Sequence, residues 1–588
     1  MNFPYQRVFD LLPNYTARFN KSDVFGYKDK KEWKTISAQD FIEQVNQVSL
    51  GLLELGIQKG DKISIIAEGR PEWNIIDFGI QQLGAISVPL YPTITTEDYK
   101  YIFQESGVKL VFVGDESLLR KAQDAAKESP SVQEIYSFDK IIGAKHWSEI
   151  KKSIDNEGFN KLESAKKAVN HEDLLTIIYT SGTTGKPKGV MLSHRSLISN
   201  VESCCSSFPI DENCRALSFL PLNHVYERMV LYLYMRLGTS IYYAQNIATI
   251  ADDLRDVRPQ IFTTVPRLLE KVYDRIVAKG YELTGLKRRI FLWALDLGLK
   301  YDPNKQFGWL YTKQLELANK LVFSKWREAL GDNLRMICSG AAALQPRLAR
   351  VFWAAQIPVS EGYGMTEASP VIATNRVAPL DLRIGTVGPI VDGGEVSIAE
   401  DGEILYRGPN VMVGYYNQPE LTKDVIDADG WLHTGDIGVL EEGKYLKITD
   451  RKKEIFKTSG GKYIAPQMLE NKFKESVLIE QVMVVGEGQK FPAALIVPEF
   501  MVLRDWCKSQ GIAYTSDYEM IENEQVIKKF YSEINEFNKE FAQYERVKKI
   551  TLLPTAWTVE GGEITPTLKP KRKIIMSKFK DKIEAMFE

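Results

Sequence analysis

Tyr179-Thr-Ser-Gly-Thr-Thr-Gly-Lys-Pro-Lys-Gly-Val-Met-Leu-Ser-His194 follows the run Leu174, Leu175, Thr176, Ile177, Ile178, which reads as a buried strand. After it, Leu197, Ile198, Val201, Cys205 and Phe208 spell the apolar face of a helix, with Ser193 as its expected N-cap. Between strand and helix lie glycines, hydroxyl residues and two lysines, Lys186 and Lys188. Such a loop can wrap polyphosphate: glycines admit the backbone, N–H groups and hydroxyls donate, and lysines neutralise charge. It is not a Walker loop, because Pro187 stands where that spacing needs a glycine followed by lysine. A flexible linker rich in Gly, Ser and Thr is the alternative, and it leaves the lysines flanking Pro187 unexplained.

A chain of 588 residues exceeds a single core, and 44% hydrophobic with 26% charged residues describes an ordinary globular protein. A net charge of −2 argues against a dedicated nucleic-acid binder. The five cysteines are scattered and lack metal-ligand spacing, which favours a reduced, cytoplasmic setting. The start, Met-Asn-Phe-Pro-Tyr-Gln-Arg, lacks signal-peptide character, and no window reaches the length of a membrane span. Membrane contact is therefore expected to be peripheral, at the inner membrane face.

Strand and helix patterns alternate along residues 1–170. The clearest unit is a strand within Gly60–Glu68, a helix from Pro71 to Gln82 and a strand from Ile86, which implies a parallel sheet with right-handed crossovers. Lys109–Gly114 adds another buried strand. Leu220-Pro-Leu-Asn-His-Val-Tyr-Glu-Arg228 places His224 and Tyr226 where a strand end meets a helix; alone, such a histidine reads as packed core. Residues 268–330 read as mostly helical, with Lys287, Arg288 and Arg289 either a solvated basic face or a contact for anionic headgroups. Small-residue turns follow the strands ending near Ser339 and Ser360, where open α/β sheets bind ligands. From Gly385 to Thr449 short β runs take over, including a hairpin turned at Asp401-Gly402. Asp450-Arg-Lys-Lys-Glu454 marks the expected boundary between a large domain, 1–449, and a small α+β domain, 450–588.

These blocks, with Tyr363-Gly-Met-Thr-Glu367, Gly430–Gly438, Asp450–Gln467 and the basic end around Lys569, resemble the long-chain acyl-CoA synthetase branch of the adenylate-forming superfamily. The resemblance runs from Gly60 to Lys573. It implies an α/β fold: a large N-terminal domain of parallel α/β sheets with a small β subdomain, then a small mobile α+β C-terminal domain. It also implies a reaction. A fatty acid carboxylate attacks the α-phosphorus of ATP, and the thiol of coenzyme A then displaces AMP. An anion approaching a polyanion needs cations and donors to neutralise the developing charge.

By this resemblance Thr180, Ser181, Gly182, Thr183, Thr184, Gly185 and Lys188 hold the β- and γ-phosphates. Glu367, with Thr180 or Thr184, holds Mg²⁺, a hard cation that prefers oxygen. Tyr363, Gly364 and Met365 form the nucleotide segment, with Tyr363 stacking on adenine and Thr366 reaching the α-phosphate. Gly340 and Ala341 let the base lie against the backbone, and Asp436 and Arg451 face the ribose. Lys569 bridges carboxylate and α-phosphate; its ordinary pKa of about 10.4 keeps it cationic. Lys571 and Lys573 are alternatives, since Leu568 stands before Lys569 where the family usually has glycine. The hinge matches Lys453, and Gly460 and Gly461 border the pantetheine tunnel. His224, Tyr226, Thr263, Val265 and Ala342 line the acyl pocket, where each buried methylene contributes about 0.8 kcal/mol. The rivals are a fatty acyl-AMP ligase that loads a carrier protein, and a non-catalytic lipid-binding protein of the same fold.

Overall fold

The computed structural model describes residues 5–180, 186–558, 560–565 and 570–588, leaving aside the side chain of Ile247. Ser181, Gly182, Thr183, Thr184, Gly185 and Lys569, expected above to hold phosphates and bridge the reactants, lie outside the described residues. The chain divides into two compact units. One comprises Met1–Val396, Leu405–His433 and Glu442–Leu446; the other comprises Ser397–Ile404, Thr434–Glu441 and Lys447–Glu588.

Among its described residues the first unit carries two eight-stranded sheets. One runs in the order Gly414–Tyr415, Lys188–Ser193, Leu174–Thr180, Ile86–Pro89, Lys62–Ile66, Val108–Val113, Glu134–Ser137, Lys145–His146. Its centre is the expected unit: Lys62–Ile66 pairs in parallel with Ile86–Pro89, and Pro71–Gln82 connects them with Pro71 in the first turn. The other sheet runs Val371–Thr374, Val359–Gly364, Met336–Ser339, Ile261–Thr264, Arg215–Ser218, Ser240–Tyr243, Phe25–Asp29, Glu32–Ile36.

One expectation needs correcting. Lys188–Ser193 is not the tail of a loop running into a helix. It is a strand pairing antiparallel with Leu174–Thr180, with Tyr179 opposite Gly189 and Thr180 opposite Lys188. The reason is a period of two: Val190 and Leu192 are fully buried while Met191 is less so. A Cβ on Gly189 would sit 2.8 Å from Ile177 Cγ2, so glycine permits the close crossing. The helix begins immediately after, at His194–Cys205, capped as expected by Ser193, whose hydroxyl accepts from Ser196 N. His194 itself is core: buried, its imidazole is pushed down to about 3, and Nδ1 accepts from Val8 N at 3.3 Å.

Val225–Leu237 is apolar nearly all round and correspondingly buried. Its buried cation, Arg228, donates to Asp77 at 2.5 Å, to Thr176 Oγ1 at 2.8 Å and to Ser87 Oγ at 2.7 Å. Nε also donates to Tyr232 OH at 2.8 Å. These bonds fasten the helix to two strands and to Pro71–Gln82, and so fix the start of the helix, where His224 and Tyr226 sit. The expected helical region is present as Pro266–Glu282, Gly285–Lys300, Trp309–Ala318 and Ser324–Ala329. Trp326 anchors it, edge-on to Phe323 and Phe352.

In the second unit a three-stranded sheet pairs Ile479–Val485 antiparallel and Lys549–Leu552 parallel to Ala493–Pro498. Both faces are covered: Val482, Val484 and Ile496 join one apolar cluster, and Met483, Val485 and Leu495 join another with Ile575.

Candidate active site

The hairpin formed by Leu174–Thr180 and Lys188–Ser193 opens at Thr180 and Lys188, the residues at the edge of the glycine-rich loop. Gly414–Tyr415 pairs antiparallel with Lys188–Ser193, Tyr415 opposite Val190, and Tyr416 N donates to Gly189 O at 2.7 Å. This pairing carries the Tyr415 ring beneath Lys188, whose Nζ lies 5.3 Å from the ring centroid. The phenol donates to Glu367 Oε1 at 2.8 Å. Burial first, then the charge and hydrogen bond of Glu367, push that phenol well above its ordinary value, so it remains a donor at neutral pH.

Glu367 lies in the short turn Thr366–Ala368, after the strand Val359–Gly364. Two contacts hold the turn: Met365 N donates to Pro370 O at 3.0 Å, and Met412 N to Glu367 O at 2.8 Å. Gly364 makes the return possible, because a Cβ there would fall 1.8 Å from Pro370 O. Tyr363, opposite Ala373 in the strand pairing, is half-buried, as are Met365 and Thr366.

A second group gathers at the ends of Ile261–Thr264 and Met336–Ser339. His224 caps the Val225–Leu237 helix, its Nδ1 accepting from Tyr226 N at 3.1 Å. Tyr226 OH donates to Cys338 O at 3.2 Å, and a Cβ on Gly340 would lie 3.1 Å from its Cζ. Ala341 follows with φ +70, a left-handed position held by a non-glycine residue. Val265 is half-buried and Ala342 exposed. Two buried carboxyls frame this group. Glu227 accepts from Ser218 Oγ at 2.6 Å and from the Thr263 hydroxyl, and burial raises it to about 7. Glu361 accepts from Leu344 N at 2.8 Å, and burial raises it to about 8.

Within the second unit, buried Asp436 lies 3.3 Å from Arg451 Nε, and Asp436 N donates to Thr434 Oγ1 at 3.1 Å. Lys452 is held by Asp401 at 2.6 Å and Glu403 at 2.7 Å. Lys453 is exposed in the next turn. Asp450 is fully buried, raised to about 7 by that burial, and accepts from Gln467 N at 3.0 Å. Gly460 and Gly461 form an open turn; Gly461 has φ +75, and a Cβ there would meet nothing within 4 Å. Lys571 N donates to Glu563 O at 2.7 Å and Ile564 bridges Pro570.

Within the first unit the described residues thus bring Thr180, Lys188 and Glu367 together and set Tyr226 against Gly340; within the second they pair Asp436 with Arg451. Sequence reasoning missed Tyr415 and Arg572. Tyr415 lies in a stretch that reads only as short β runs. Arg572 is hidden among lysine neighbours, yet it pairs with Glu470 at 2.6 Å and anchors the chain just after Pro570.

Residues 13–416 match the family model described as AMP-binding enzyme, and 453–588 match that of the AMP-binding enzyme C-terminal domain. The long-chain-fatty-acid–CoA ligase FadD15 of Mycobacterium bovis is 32% identical over 566 residues, covering 94% of this chain and 92% of its own. Human long-chain-fatty-acid–CoA ligase 1 is 34% identical, covering 93% of this chain and 82% of its own. In fold the chain is similar to the anthranilate CoA ligase AuaEII in complex with anthranoyl-AMP, with TM-score 0.72, 19% identity and 98% of both chains covered. It is also similar to the Bacillus subtilis O-succinylbenzoate coenzyme A synthetase in complex with ATP and magnesium, with TM-score 0.66, 19% identity and 93% and 96% covered.

Proposed function

This chain belongs to the AMP-binding enzyme family, and from that premise we propose that it is an ATP-dependent ligase joining long-chain fatty acids to coenzyme A through an acyl-adenylate. The observation that carries the site assignment is the convergence of Lys188 and Glu367 on Tyr415 at the mouth of the glycine-rich hairpin. A cation and a carboxylate there suit a metal-bound triphosphate.

Glu367 fits a hard divalent cation. Oε1 accepts from Tyr415, while Oε2 takes no hydrogen bond from a described residue. Among the described residues no group of three His, Cys, Asp or Glu side chains would hold a metal alone, which suits Mg²⁺ retaining water and substrate phosphates. Bound there with Thr180 or Thr184, Mg²⁺ would supply charge neutralisation. Lys188 and the loop 181–185 neutralise and orient the phosphates. Tyr363, Gly364, Met365, Thr366, Gly340 and Ala341 receive the adenosine, with Asp436 and Arg451 on the ribose. Lys569 joins the carboxylate to the α-phosphate in the first step. His224, Tyr226, Val265 and Ala342 border the acyl chain, and Gly460 and Gly461 the pantetheine arm.

The small domain begins at 450 in this reading and turns about Lys453 between steps, so Lys453→Pro should separate the two half-reactions. Exposed Leu286, beside Lys287, Arg288 and Arg289, supports peripheral contact with an anionic membrane face. Among the described residues no helix is long and apolar enough to cross a membrane. Co-sedimentation with anionic but not zwitterionic vesicles, weakened by Leu286→Ser, tests that contact. The main test is thioester formation across a fatty-acid length series. Product with free coenzyme A supports the ligase; product only with a carrier protein supports the acyl-AMP ligase.

A further inference from the structure

Glu367 sits on a one-turn helix, and a glutamate there has rotamer freedom unless something holds its head. Tyr415 supplies that hold from the strand Gly414–Tyr415. Its own position is fixed three ways. Tyr415 N donates to Thr422 Oγ1 at 2.9 Å, Gly414 and Tyr415 pair with Met191 and Val190, and Val413 N donates to Met191 O at 2.9 Å. The ring is 7% exposed and packs in the first unit's core. The phenol is fixed in the core while the carboxylate stands on a half-buried turn, so the phenol determines where the carboxylate points.

The same ring carries Lys188 on its face. One side chain thus touches both groups proposed to meet the triphosphate, the lysine at the hairpin mouth and the carboxylate on the neighbouring turn. Met412 N, three residues before Tyr415, also holds the backbone carbonyl of Glu367. The segment from Met412 to Tyr416 is consequently a strap between the Lys188–Ser193 strand and the Thr366–Ala368 turn.

We infer that Tyr415 is a positioning residue for nucleotide activation: its hydroxyl occupies Oε1 of Glu367 and so presents Oε2 to the cation that accompanies ATP. The inference rests on the reading of Glu367 as the metal-facing carboxylate. An outer partner of this kind affects metal affinity by roughly 10- to 100-fold when removed. Tyr415→Phe deletes one hydroxyl and keeps the ring, its packing and its contact with Lys188.

The test uses the full chain. ATP binding is measured calorimetrically at a series of Mg²⁺ concentrations and again in chelator, without fatty acid. The two half-reactions are then followed separately: pyrophosphate formation from ATP and fatty acid, and thioester formation from synthetic acyl-adenylate. Tyr415→Phe is expected to weaken ATP binding in Mg²⁺ about 10-fold or more. Binding in chelator and thioester formation should stay at wild-type values, and the unfolding temperature should fall by no more than a few degrees. Glu367→Gln should show the same Mg²⁺-specific loss, and the double variant should lose little more than either single one.

Equal loss with and without Mg²⁺ would mean the phenol serves loop packing, and the inference falls. Wild-type Mg²⁺ dependence in Tyr415→Phe, alongside its loss in Glu367→Gln, overturns the inference alone. Wild-type Mg²⁺ dependence in Glu367→Gln itself overturns the carboxylate assignment and the inference with it.

Discussion

Replacing Glu227 with glutamine should stabilise the protein at alkaline pH and leave it nearly unchanged in mild acid. Glu227 is 1% exposed, and its two partners, Ser218 and Thr263, are neutral hydroxyls. Burial raises its carboxyl from an ordinary 4.5 to about 7. The folded state therefore prefers the neutral acid. Its contribution is fully present below the unfolded value and is lost as pH rises through 7. A shift of that size corresponds to about 3 kcal/mol, since each pH unit is worth about 1.4 kcal/mol. Glutamine has the same shape, can donate to one hydroxyl and accept from the other, and does not titrate. Urea unfolding at about pH 5 and about pH 8.5 should show Glu227→Gln gaining about 2–3 kcal/mol over wild type between the two conditions. Glu361 and Asp450 are also raised by burial, but they titrate in both proteins and cancel in the difference. A difference independent of pH would refute the argument that desolvation controls this carboxyl.

Other consequences follow from the same geometry. Gly364→Ala places a Cβ against the Pro370 carbonyl, where only backbone movement gives relief. It should cost about 1–3 kcal/mol in unfolding experiments and displace the Glu367 turn, weakening nucleotide binding. Arg228→Ala leaves Asp77 buried with only Tyr232 and Gln81 as side-chain donors among the described residues, and should cost about 3–5 kcal/mol by denaturant titration. Arg228→Met with Asp77→Leu should recover most of that loss, because no buried charge remains.

Much of the fold was legible because local signals agreed. At 62–89 a β-branched run, a proline in a first helical turn and a second apolar run left one arrangement, which the structure contains. Ser193 was legible as a cap for the same reason. The Lys188–Ser193 strand was harder to see, because its two buried apolar side chains, Val190 and Leu192, are too few to outweigh the glycine and lysines before them. Tyr415 and Arg572 were not legible at all. Their significance arises from partners 48 and 102 residues away, Glu367 and Glu470, and no local pattern encodes such separations. Glu227 and Glu361 likewise look like ordinary surface carboxylates until the sheet buries them.

At the centre of this reading, the chain gathers the negative charge of a nucleotide and a fatty acid and neutralises it long enough to form an acyl-adenylate. The most direct measurement is a single-turnover reaction of excess protein with Mg·ATP and a long-chain fatty acid, without coenzyme A. One pyrophosphate and one protein-bound acyl-adenylate are predicted per ATP consumed, both requiring the fatty acid, with formation slowed sharply by Lys569→Ala and by Glu367→Gln. Orthophosphate and ADP as products, or pyrophosphate release indifferent to the fatty acid, would contradict it.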